Sequence, residues 1–101
     1  MVGIWMLVAC QVPCERQPAG AARDACTYAQ VLDLGPDKAD HVVAKVQTID
    51  DPVIHGAAVI GWVGEHARTL APSDGRRVCG LLDGPDQGQC LRRLQSAHLL
   101  R

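Results

Sequence analysis

Five cysteines carry most of the chemistry open to this chain: Cys10, Cys14, Cys26, Cys79 and Cys90. A thiol can ligate metal, exchange disulfides or pair with another thiol, and spacing discriminates among these. Cys10 and Cys14 are four positions apart, whereas redox pairs are C-x-x-C within a βαβ setting. Zinc sites repeat a close cysteine pair or add nearby histidines, and His41, His55, His66 and His98 are scattered. Neither thiol redox nor metal binding is expected, and no cofactor is implied. So many cysteines in a short chain point to an oxidising compartment. The count is odd, so one of them needs a role outside the pairs.

The remaining polar clusters offer less. Glu65 and His66 stand beside Arg68, but no Ser or Cys nucleophile joins them in a recognisable pattern. They read as the polar end of an apolar helix. There is no phosphate loop, metal triad or nucleophile elbow, so no catalytic residue is expected and the chain is read as non-enzymatic. The formal net charge of −1 gives no support for nucleic acid as a partner. Acids gather mid-chain (Asp33, Asp37, Asp40, Asp50, Asp51) and bases late (Arg92, Arg93, Arg101), a mild polarity expected on solvated faces.

The odd cysteine finds its role at the N-terminus. Residues 1–9, MVGIWMLVA, are apolar or Gly throughout. They fall well short of the roughly 20 residues a membrane-spanning helix needs and read as the end of a signal-peptide apolar region. The run closes with Leu7-Val8-Ala9-Cys10, which resembles the lipobox of bacterial lipoproteins: an aliphatic residue three before the cysteine and a small one directly before it. The resemblance implies cleavage before Cys10 and a diacylglycerol on its sulfur, anchoring the chain in a lipid bilayer at the cell envelope. Gln11, in place of the Asp that signals inner-membrane retention in Gram-negative members, leans toward the outer membrane. Cys14, Cys26, Cys79 and Cys90 are then left as an even set of disulfide cysteines. On this reading residues 1–9 are a signal-peptide remnant, 10–20 a tether and 21–101 a helical domain.

The elements that must position these residues are helical. A chain of 101 residues is one small domain, and with Trp5, Trp62 and Tyr28 as its only aromatics the core must be Val, Leu, Ile and Ala. Such a light core gains from covalent staples. Cys14–Gly20 is a tether or turn broken by Pro18 and Gly20. Over 21–34, Ala25, Tyr28, Ala29 and Leu32 fall at helical spacing. Gly35-Pro36-Asp37 stops that helix and opens the next, with Pro36 in its first turn and Val42, Val43, Val46 and Ile49 as its apolar stripe. Asp51 caps a helix over about 52–70 that is apolar nearly all round, hence buried and central, with Trp62 in the core. Ser73 is the expected cap of a short helix to about Leu82, and a last helix runs from about Pro85 to Ser96. No β-alternation occurs, so the fold expected is all-α, a small bundle of four to five short helices.

Four cysteines allow three pairings, and sequence does not choose among them outright. Cys14–Cys26 with Cys79–Cys90 is favoured, because each pair encloses a Pro/Gly breaker that turns the chain back. A crossed pairing would resemble twin-cysteine helical hairpins, whose spacing is C-x9-C; here it is eleven and ten. Asp50 to Gly64, with GAAVIGWVG at 56–64, resembles the second half of a HEAT-like (PBS-lyase-type) repeat, which implies an antiparallel helical pair over 37–70 and a protein-binding scaffold. The reading is therefore a small envelope lipoprotein acting through contact with a protein partner. A periplasmic or secreted enzyme or metal-binding accessory, and a soluble HEAT-like adaptor, are the alternatives.

Overall fold

A computed structural model describes residues 13–99. The leader at 1–9 and Cys10 lie outside the described residues. A single 3-10 turn, Cys14–Arg16, precedes five helices: α1 Ala21–Asp33, α2 Ala39–Val46, α3 Pro52–His66, α4 Pro72–Cys79 and α5 Gly84–Leu99. Among the described residues there is no strand, and the fold is the all-α bundle expected.

α3 is the hub, touching each of the other four helices. Its Ala58, Val59, Trp62 and Val63 are buried, and Trp62 is fully enclosed. Around them close Val31 of α1, Val42 and Val46 of α2, Val78 of α4 and Leu94 of α5, with Ile49, Leu70 and Leu82 from the connections. The burial is less complete than the sequence of α3 predicts. Val53, in its first turn, is 78% exposed. The Trp62 indole also does polar work, its Nε1 donating to the Leu34 carbonyl at 2.8 Å. That carbonyl follows the end of α1, where no intrahelical donor remains for it.

Local chemistry sets the helix boundaries. Asp51 caps α3 as expected, its Oδ1 accepting from the Val53 and Ile54 amides at 2.8 and 3.1 Å, with Pro52 in the first turn. Ser73 does not cap α4: the cap position is Ala71 and Pro72 fills the first turn, so the helix starts ahead of the serine. Pro36 does not open α2 either. It sits in a turn closed by Lys38 N–H to Gly35 O at 3.1 Å, and the helix begins at Ala39. The inward face of α1 also differs from expectation. Ala25 and Ala29 are exposed, while Asp24, Thr27 and Val31 are buried and Tyr28 and Leu32 half-buried. α2 packs chiefly on α1 and α4 and only lightly on α3.

Both disulfides are local: Cys14–Cys26 and Cys79–Cys90, with Cα atoms 5.7 and 5.6 Å apart. The first pins the 3-10 turn to α1, so the segment from Cys14 to Gly20 is folded against the bundle. Cys14 itself is 1% exposed. The second ties the end of α4 to the middle of α5, and both its cysteines are fully buried. Gly84 turns the chain into α5 at φ 57° and Gly20 leads into α1 at φ 138°, backbone that a side chain would strain.

Candidate binding groove

The connection between α2 and α3 closes on one buried carboxylate of α1 that spacing alone did not single out. Asp24, 3% exposed, accepts from the Asp50 amide at 3.4 Å and the Asp51 amide at 3.0 Å. It thereby holds in place the residue that caps α3. Arg23 pairs with Asp50 at 3.4 Å across the same junction. At the far side His55 Nε2 lies 3.0 Å from the Leu81 carbonyl; a carbonyl only accepts, so this nitrogen carries the proton. The Asp24 and His55 contacts satisfy backbone groups at the helix junctions.

The residues weighed for acid–base chemistry separate in space. Glu65 and Arg68 are exposed and line a groove between α3 and α5. The His66 ring packs on Trp62, centroids 5.4 Å apart, and its Nε2 is buried without a hydrogen bond, as is that of His98 on α5. His41 is exposed on α2. Among the described residues no three His, Cys, Asp or Glu side chains gather as a metal-holding group. Nor is any described helix long and apolar enough to cross a membrane. Gly61 and Gly64 do not share one packing face. A Cβ on Gly61 would meet Leu32 of α1 at 3.4 Å, and one on Gly64 would meet the Arg93 guanidinium at 2.9 Å.

The Gly64–Arg93 contact lies in the groove between α3 and α5. The groove occupies about 710 Å³ and is lined by Gly64, Glu65, Ala67, Arg68 and, from α5, Gln89, Arg92, Arg93, Ser96 and Ala97. Arg93 reaches across to the bare backbone at Gly64. Arg92 lies back along its own helix, its guanidinium 3.2 Å from where a Gly88 Cβ would stand. Two glycines thus leave room for two guanidinium heads against helix backbone. Three cations face one carboxylate, Glu65, and among the described residues none of the three is ion-paired, unlike Arg23 with Asp50 or Arg77 with Asp40 and Asp74. Arg68 stands just past the end of α3, where the helix dipole favours a cation. Arg92 and Arg93 sit mid-helix and have no such reason to be there.

The sequence showed Arg92 and Arg93 only as part of a late basic bias. The glycines at i−4 from Arg92 and at position 64 were the available signal, but only the packing of α3 on α5 joins them. No family model, no curated protein and no solved structure matches the chain.

Proposed function

We propose that this protein is a small, non-enzymatic domain that works by contact with a protein partner outside the reducing cytosol, held at the bacterial cell envelope by a lipid on Cys10. The observation that carries the reading is the pair of disulfides, Cys14–Cys26 and Cys79–Cys90, since such bonds persist where thiols are not kept reduced. They use four of the five cysteines and leave Cys10, at the end of the lipobox-like run, for the anchor. The contact surface on this reading is the arginine-lined groove between α3 and α5, where cations stand unpaired on a chain of almost no net charge.

Intact mass of the protein from its native host tests the anchor directly. Cleavage before Cys10, an added diacylglycerol and four cysteines in disulfides are expected together. Wild-type protein should enter the detergent phase, and Cys10→Ser should stay aqueous or unprocessed. Equal partitioning of both into the aqueous phase would remove the lipid anchor from the reading.

A further inference from the structure

The α3–α5 groove is extended rather than enclosed. From Gln89 to Ser96 its α5 wall spans about 10 Å at 1.5 Å per residue. It is open to solvent along that length, so it does not surround a small ion. Its charges are distributed along the wall: Arg92 folds toward Gly88, Arg93 crosses to Gly64, and Arg68 follows the last turn of α3. An extended peptide rises about 3.3 Å per residue and presents alternate side chains on one face, some 6.6 Å apart. Three to four extended residues therefore match the length of the wall. Guanidinium groups suit carboxylates because they offer paired N–H donors to paired oxygens.

We propose that this groove binds an extended acidic segment of a protein partner, with carboxylates two positions apart meeting the Arg92–Arg93 pair and Arg68. The inference rests on the contact reading above and adds the partner's chemistry to it. Ala67 and Ala97 give the groove a shallow apolar floor, with Gln89 and Ser96 as neutral polar rim. Glu65 is the one group that opposes an acidic ligand, and it sits at the edge, exposed.

The test uses the oxidised full chain and a fluorescent six-residue peptide alternating Glu with Ala, followed by anisotropy at low ionic strength. Binding should weaken with added salt. Replacing Arg68, Arg92 and Arg93 together by Gln should weaken it about tenfold, the sum expected of three exposed ion pairs, with the melting temperature unchanged because all three are on the surface. Glu65→Gln should tighten binding two- to threefold, about what one exposed like-charge contact is worth, a gain that a misfolded variant does not produce. Equal binding by wild type and triple variant, or equal binding of a Gln–Ala peptide, would overturn the proposal. So would displacement of the peptide by an equal concentration of inorganic phosphate, or uptake of phosphatidylglycerol vesicles with no peptide binding. The anchor is read by mass and partitioning and the groove by this titration, so either can fail without the other.

Discussion

At the scale of single residues, Asp24 is worth more than its place on a surface-facing helix would imply. Its carboxylate takes up the amides of Asp50 and Asp51, and Asp51 in turn takes up those of Val53 and Ile54. Asp24→Ala should cost about 1–3 kcal/mol in denaturant unfolding, the penalty for stranding buried backbone donors, while Asp51→Ala, losing a cap alone, should cost about 1 kcal/mol. If Asp24→Ala costs no more than Asp51→Ala, the two-step chain of capping does not operate. Trp62→Ala should cost about 3–5 kcal/mol. Trp62→Phe separates the indole's two roles, retaining most of the volume but stranding the Leu34 carbonyl, and about 1 kcal/mol of loss is expected from the hydrogen bond.

Periodicity made Trp62 and the valine stripe of α2 legible in the sequence, and Asp51 was legible because it answers to amides two and three positions on. Asp24 was not legible. Its partners are 26 and 27 positions away, and an Asp in a first helical turn already has a sufficient local explanation in the helix dipole. The same holds for the groove, since Gly64 and Arg93 meet only through tertiary packing.

At the scale of elements, the approach of α4 to α5 depends on a missing side chain. A Cβ on buried Gly75 would stand 2.6 Å from a Leu94 methyl. Ala is the better helix former by about 1 kcal/mol, yet overpacking costs about 1–3 kcal/mol. Leu94 is 5% exposed, and both its methyls and its Cγ stand within 3.2 Å of that Cβ, so the whole side chain must shift. Gly75→Ala should therefore lower the melting temperature, and pairing it with Leu94→Ala should cost less than the two changes added, as residues in contact do. The nearby Cys79–Cys90 bond should supply about 3 kcal/mol by chain entropy for a loop of this size, measurable as the stability lost in Cys79→Ala/Cys90→Ala. The short helices were correctly counted from the sequence, but their first residues were misjudged at Pro36 and Ser73. Proline and serine each suit both a turn and a helix start, and the choice fell to the hydrogen bonds around them.

At the scale of the whole molecule, the two covalent bonds lie at opposite ends of the chain and neither spans the core, so residues 27–78 are held by non-covalent contacts alone. Reductant should then act in two separable steps of stability, and peptides released by proteolysis without reductant should be 14-linked-to-26 and 79-linked-to-90. Recovery of a peptide joining 14 to 90 or 26 to 79 would contradict the connectivity. For a chain delivered across a membrane as an unfolded thread, the arrangement has a consequence for assembly. Each bond joins cysteines 12 or 11 positions apart, so its second sulfur follows the first after a short length of chain. The N-terminal bond can close while most of the polypeptide is still in transit, and the C-terminal pair then meets in a pool with no other free thiol among the described cysteines. With Cys10 taken by the proposed lipid, order of arrival, rather than reshuffling of mispaired sulfurs, is enough to give the native connectivity.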